Sequence, residues 1–160
     1  MQRVGAEPTV RPVGRSGLVR ARAPGGDFEE PGWTLQGDAQ RVPGSEPYAA
    51  TGTLGSWSLA LPAGSSAESP PTCVDTAYPS VRFFIEGTGS VAVSIVAETT
   101  EIPAGVAVAG SDWLPTPVML TSSAVVAALS DGVAQVSVRI TALTGDPQVD
   151  DVYLDPWCRG

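Results

Sequence analysis

Residues 136–141 read VSVRIT, and their pattern indicates the fold class. Large apolar residues alternate strictly with polar ones along it. That period of two is typical of a strand with one buried and one solvated face. Its β-branched residues also favour an extended backbone. The sequence therefore predicts a half-buried antiparallel strand here.

Similar strand signals recur on both sides of this stretch, separated by turn residues. They are found at residues 57–61 (WSLAL), 81–85 (VRFFI), 91–96 (VAVSIV) and 152–154 (VYL). In the third, Val91, Val93 and Ile95 fall on one face. We expect roughly eight strands, which form an antiparallel two-sheet, jelly-roll-like β-sandwich over residues 27–160.

The chain has 160 residues with 18 Gly and 15 Pro, a composition that suits one turn-rich all-β domain. Residues 122–129 (SSAVVAAL) fit the strand pattern less well. They are predicted either as one helical turn capped by Ser122 or Ser123, or as another strand.

Residues 1–26 are predicted to form an extended basic arm, because Pro and Gly interrupt them and no period is sustained. Their first 22 residues hold five arginines against one acid and carry +4, whereas the rest holds four arginines against sixteen acids and carries −12. An acidic body repels phosphate backbones, so no nucleic-acid partner is expected. The arm is either a contact to a neighbouring subunit or a solvated tail. The candidate contact residues are Arg3, Arg11, Arg15, Arg20 and Arg22.

No stretch reaches the ~20 apolar residues that a membrane span needs, so membrane insertion is not expected. The N-terminus also lacks the apolar core of a signal peptide. Either a signal lies outside this sequence, or export uses another route, for instance inside an assembled particle.

The usual catalytic groups are missing from the composition. The chain has no His, and all nine cationic residues are Arg, so common general bases and Schiff-base nucleophiles are absent. A glycosidase would need two carboxylates held across a cleft, and no motif presents such a pair. The sequence therefore predicts that the protein is not an enzyme.

Two motifs resemble the jelly-roll carbohydrate-binding modules of the galactose-binding-like superfamily. They are GDFE at 26–29, followed by GWTL at 32–35, and VDDVYL at 149–154. The resemblance implies that the first and last strands lie side by side and that acids from both motifs hold a structural Ca²⁺.

The candidate calcium ligands are Asp27, Glu29, Asp150 and Asp151, which offer the oxygen donors that Ca²⁺ takes. Neighbouring residues point to opposite faces of a strand, so only one of Asp150 and Asp151 is expected to join the site. Alternatively, these acids cap turns and keep the surface soluble.

A wider set of motifs is similar to uncharacterised secreted β-sandwich proteins of high-GC bacteria, which implies a location outside the cell, at the cell surface or in an assembled particle. The motifs are LALPAGSSA at 59–67, SPPTCV at 69–74, RFF at 82–84, WLPT at 113–116 and DDVYLDP at 150–156. In such relatives the partner of Cys73 would lie near the N-terminus, whereas here the other cysteine is Cys158. The two cysteines are predicted either to form an intrachain disulfide, to remain free thiols, or to bond another subunit.

The four tryptophans divide by position. Trp33 lies two residues from Leu35, and Trp57 lies two residues from Leu59, so each pair shares one face of a strand. Both rings are therefore predicted to face the core. Trp113 and Trp157 stand beside turns and are candidates for exposed, sugar-stacking rings.

Two functions of different class follow. The first is a non-enzymatic structural or assembly protein of a surface, filament or particle, whose basic arm contacts a neighbouring subunit. Its partner would be another copy or another surface protein. The alternative is a carbohydrate-binding module whose exposed tryptophans stack on a glycan.

Overall fold

The computed structural model describes residues 23–48, 55–75, 80–97, 100–120 and 133–155 of the chain. They contain twelve strands and no helix. The strands are β1 (Thr34–Gln36), β2 (Gln40–Pro43), β3 (Trp57–Ala60), β4 (Ser66–Glu68), β5 (Thr72–Asp75), β6 (Ser80–Glu86), β7 (Ser90–Ala97), β8 (Thr100–Val108), β9 (Leu114–Pro115), β10 (Met119–Leu120), β11 (Val133–Thr144) and β12 (Gln148–Asp155).

The strands form two antiparallel sheets. Sheet 1 has the order β10-β6-β12-β3-β2, with β9 also paired to β6, and sheet 2 has the order β1-β4-β11-β7-β8, with β5 also paired to β11. The inner sets β3-β12-β6-β10 and β4-β11-β7-β8 have the strand arrangement of a jelly roll. The predicted all-β, antiparallel two-sheet sandwich is therefore confirmed.

The hydrophobic core lies between the two sheets and follows the predicted alternation. On β7, Val91, Val93 and Ile95 are buried, and the residues between them are only partly covered. Burying each such side chain contributes about 1.5–3 kcal/mol. The facing strands supply Val81, Phe83 and Ile85 from β6, and Val136, Val138 and Ile140 from β11.

Two strands are longer than their sequence patterns predict. The strand predicted over residues 136–141 extends to Val133–Thr144, because it pairs with β4, β5 and β7 along its length. The strand predicted over 152–154 begins at Gln148, since a bulge between Asp150 and Tyr153 interrupts the alternation without ending the pairing.

The N-terminal part of the described chain lies against β12. The Ala23 amide donates to the Val152 carbonyl, and the Val152 amide donates to the Gly26 carbonyl, both at 2.9 Å. The first strand, β1, does not lie beside β12, because it pairs with β4 in the other sheet. Residues 23–26 make the contact between the beginning of the domain and its last strand instead.

Several predictions fall outside the described residues: the arm residues Arg3, Arg11, Arg15, Arg20 and Arg22, the segment 122–129, and Trp157 and Cys158. Cys73 lies on β5 opposite Gln135, and its side chain is also outside the description. The structure does not test them, and they stay predictions. The part of the chain that the structure describes contains no helix able to span a bilayer.

Candidate functional site

An open groove of about 400 Å³ lies on the outer face of sheet 2. Because Val91, Val93 and Ile95 of β7 turn inward, the small side chains of Ala92 and Ser94 form the outward part of the groove floor on this strand. Neighbouring β8 and β11 supply Glu101, Pro103 and Thr141. A concave surface on an otherwise closed sandwich follows from this difference in side-chain size.

A charged network spans four strands on this face, β4, β7, β8 and β11. The Arg139 guanidinium donates to Glu101 Oε2 at 2.5 Å and to Glu68 Oε1 at 3.1 Å. The Ser94 hydroxyl donates to Glu101 Oε1 at 2.6 Å. The strand register places Arg139 directly opposite both Ser94 and Glu68. The network therefore holds four polar side chains in fixed relative positions.

These ion pairs are partly exposed, with 29–44% of each side chain accessible. Pairs of this kind contribute only about 0–1 kcal/mol to folding. Their chemical capacity is greater, because guanidinium, carboxylate and hydroxyl groups together offer donors and acceptors that match sugar hydroxyls.

The other end of the same face is apolar. Val106, Val108 and Leu143 are 58%, 74% and 50% exposed. Val106 lies opposite Ala92, and Val108 lies opposite Ser90, so both project on the groove side of β8. The groove thus joins a charged end to an apolar end, which suits a ligand that has both hydroxyl-bearing edges and hydrocarbon faces.

A second distinctive surface lies on the outer face of sheet 1. The Tyr48 ring stacks on Phe84 with centroids 5.6 Å apart and planes 26° from parallel. The Tyr48 hydroxyl donates to the Trp113 carbonyl at 2.9 Å, and its amide donates to Glu46 Oε2 at 2.6 Å. Tyr48 nevertheless remains 56% exposed. We call this pair the Tyr48 platform. Nothing in the sequence around Tyr48 indicated it.

The prediction of an exposed Trp113 is wrong. Trp113 is only 9% exposed, because β9 pairs with β6 immediately after it and Tyr48 binds its carbonyl, which holds the segment against sheet 1. The exposure on which its sugar-stacking role rested is therefore absent.

The two tryptophans predicted to face the core differ. Trp33 is buried as expected and packs edge-on against Phe28 at 5.1 Å. Its strand neighbour Leu35 is 37% exposed, contrary to the parity argument, because β1 is an edge strand. Trp57 is half-buried beneath the Arg41 guanidinium, which lies 4.9 Å from the ring centroid.

Three carboxyl groups are buried together beside β12. Glu46, Asp150 and Asp151 are 1%, 0% and 4% exposed. Asp150 Oδ2 accepts from the Ser45 hydroxyl at 2.6 Å and the Glu46 amide at 3.0 Å. The expectation that Asp150 and Asp151 point to opposite faces is wrong, because the bulge and the left-handed φ of +47° at Asp151 break the strand period.

Burial changes the protonation of this pair. It raises the pKa of Asp150 to about 6, although hydrogen bonds from Ser45 and two backbone amides oppose the rise. Burial also raises the pKa of Asp151 to about 8, and a hydrogen bond with Glu46 and nearby negative charges add to the effect. Near neutral pH the cluster therefore holds at least part of a proton.

The predicted calcium ligands are only partly brought together. Asp27 contributes to the electrostatic field at Asp151, but Glu29 Oε1 instead accepts the amides of Ser56 and Trp57 at 2.7 and 3.1 Å. Within the described ranges, no three Asp, Glu, His or Cys side chains are positioned to hold a metal ion. The oxygen donors suit Ca²⁺ chemically, and calcium at these residues stays a prediction.

Glu46 belongs to this carboxyl cluster and was missed by sequence reasoning. It lies in the stretch GSEP at 44–47, which carries only turn signals. Its position is set by the hydrogen bonds that the Ser45–Glu46 segment makes to Asp150, more than a hundred residues away.

No known protein-family model matches this chain, and neither does any curated protein. Solved structures do match. One is the xylanase 10B of Clostridium thermocellum, comprising its CBM22-1 and GH10 modules in complex with xylohexaose, with a TM-score of 0.54, 15% identity, and 86% of this chain and 28% of that one covered. Another is the C-terminal CBM6 of LamC, a marine laminarinase from Zobellia galactanivorans, with a TM-score of 0.52, 11% identity, and 76% and 90% covered.

The chain shares its fold with carbohydrate-binding modules. It is also similar to the enzymatically active domain of tailspike protein 4 from bacteriophage CBA120, with a TM-score of 0.51 and 15% identity over 82% of this chain. It spans 20% of that tailspike chain and 28% of the xylanase chain.

The first function drawn from the sequence, a structural or assembly protein that grips its neighbour with the arm, is corrected by these matches. Similar structures include modules of carbohydrate-binding families 6 and 22, so the alternative reading is the better supported one. The assembly prediction rested on the opposite charges of the arm and the body. Net charge describes surface electrostatics and does not show which side chains the folded sheets expose.

Proposed function

We propose that this chain is a non-catalytic carbohydrate-binding module whose glycan site is the groove on the outer face of sheet 2. The observation that carries the proposal is the network of Arg139, Glu101, Glu68 and Ser94, of which Ser94 and Glu101 line that groove. The groove's volume of about 400 Å³ falls in the range of small-ligand sites.

The network favours sugar binding because its groups are already oriented. Arg139 is restrained by two carboxylates, so little side-chain entropy is lost when a hydroxyl binds. The two carboxylates of the network accept and its guanidinium donates, which matches vicinal hydroxyls acting in both roles. The exposed Val106 and Val108 supply apolar contact for the ring C–H groups.

Location and cofactor belong to the same proposal. A glycan-binding role fits a secreted or surface protein, as does the likeness to secreted proteins of high-GC bacteria. Calcium at Asp27, Glu29, Asp150 and Asp151 stays a prediction from resemblance, and so does a disulfide between Cys73 and Cys158.

The test is binding to soluble polysaccharides by affinity electrophoresis and to oligosaccharides by calorimetry. Xylan and xylohexaose are the first ligands to try, because the similar xylanase was solved with xylohexaose. We expect Arg139→Gln to weaken binding at least tenfold, because it removes the charged donor that Glu68 and Glu101 orient.

Two further variants separate the groove from general charge effects. Glu101→Gln alters the groove, whereas Asp38→Asn removes one negative charge at an exposed site outside its lining. Binding should fall in the first and stay unchanged in the second. A folded protein that binds no glycan, or binds equally well without Arg139, would overturn the proposal.

A further inference from the structure

We propose that the Tyr48 platform is a second glycan-binding site, which stacks on the apolar face of a pyranose ring and makes the module bivalent. This inference rests on the proposed function and adds a site on the opposite sheet.

The platform is rigid although it is exposed. Three contacts hold Tyr48: its ring lies on Phe84, its hydroxyl binds the Trp113 carbonyl, and its amide binds Glu46. An exposed tyrosine normally rotates freely, and immobilising it on binding costs free energy. Here folding has already restrained the ring, while 56% of the residue is still open to solvent.

Polar groups flank the ring on the same face. The buried Val81, Phe83 and Ile85 point to the core, so Arg82, Phe84 and Glu86 point outward together. The Arg82 guanidinium rests over the Tyr153 ring at 5.5 Å. An aromatic surface between a donor and an acceptor has the composition of a sugar-stacking site.

The two sites lie on opposite sides of the sandwich. Phe84 projects from sheet 1 and Arg139 from sheet 2, each away from the core that separates the sheets. One ligand chain cannot easily fill both sites, so a single module contacts two chains. Bivalent contact raises avidity and links polymer chains together.

The experiment measures binding and cross-linking in parallel, with soluble xylan, β-glucan and galactan as probes. Affinity electrophoresis reports binding, and turbidity at increasing protein concentration reports cross-linking. We expect Tyr48→Ala to abolish turbidity while electrophoretic binding persists through the groove. Tyr48→Phe keeps the ring and should retain most of the turbidity.

Arg139→Gln should likewise lose turbidity and keep weak binding, and the double variant should lose both. Leu35→Ala, another exposed apolar position, serves as the matched control and should behave as wild type. Tyr48→Gln provides a second ring-free variant should the alanine protein fail to fold.

The outcomes distinguish the two claims. If the Tyr48→Ala protein cross-links polymer as the wild type does, the proposed glycan site at the Tyr48 platform is overturned, whereas the proposed site in the groove is unaffected. If Tyr48→Ala removes all binding and Arg139→Gln removes none, the platform is supported while the groove and bivalence are overturned. Failure of the folded wild type to bind any of the three polymers overturns both.

Discussion

At the scale of single residues, Asp150 and Asp151 are two buried carboxyl groups whose pKa values are raised. Each is almost completely removed from water, and each keeps its proton to a higher pH than an ordinary aspartate. Because an unfolded chain would ionise them near pH 3.9, the folded state binds more protons above that pH.

The resulting prediction is that stability falls as pH rises from 5 to 8. A raised folded pKa contributes stability that is complete below about 3.9 and is lost as pH rises through about 6 for Asp150 and about 8 for Asp151. We expect the free energy of unfolding in EDTA to drop by at least about 2 kcal/mol over this window. Urea unfolding at several pH values measures it.

Asp151→Asn tests the assignment, since asparagine tolerates the left-handed backbone at this position and does not titrate. The pH slope should shrink in this variant and persist in the exposed control Asp38→Asn. Repeating the urea titration with Ca²⁺ tests the calcium prediction. Calcium binding would raise the urea midpoint at pH 7.5, whereas an unchanged midpoint would contradict the prediction.

At the scale of elements, the approach of residues 23–26 to β12 depends on a glycine. A Cβ added at Gly26 would lie 2.5 Å from the Val152 carbonyl oxygen and 2.9 Å from that of Ala23. Either the β12 backbone or the N-terminal segment would have to move, and the hydrogen bond between Val152 and Gly26 would weaken.

Gly26→Ala should therefore destabilise the protein by about 1–3 kcal/mol, the usual range for overpacking. Gly32→Ala is the matched control, because a Cβ there meets nothing within 4 Å. Thermal or urea unfolding of the two variants measures the difference. Equal stabilities would show that residues 23–26 do not need close contact with β12.

At the scale of the whole molecule, charge limits the choice of glycan. The chain carries a net −8, and the charged network at the groove pairs one arginine with two glutamates, of which Glu101 lines the groove. Polysaccharides that bear uronic acids should therefore be repelled relative to neutral ones.

If the groove binds glycans, neutral polymers should bind more tightly than matched uronate-bearing polymers at low salt. The gap should narrow as ionic strength rises, because salt screens exposed charges. Affinity electrophoresis at two salt concentrations provides the measurement. Tighter binding of the anionic polymer would contradict the expectation that the negative charge of the protein repels uronate-bearing glycans.

Much of the fold could be predicted from the sequence, because strand periodicity is a local property. The alternation at residues 91–96 and 136–141 identified both the strands and the faces that they bury. The same rule failed at Asp150–Asp151, where a bulge adds a residue to one strand only. The sequence of a single strand does not show where a bulge will form, because a bulge depends on the pairing with a partner strand.

The all-β class, the positions of five of the twelve strands and the core side of the long strands could be read from the sequence, since these follow from the order of neighbouring residues. Tertiary structure alone decided both candidate sites. Arg139 meets Glu68 across 71 positions, and Tyr48 meets Trp113 across 65. Strand register and the path of the connecting segments create these contacts, and both are set by the packing of the two sheets as a whole.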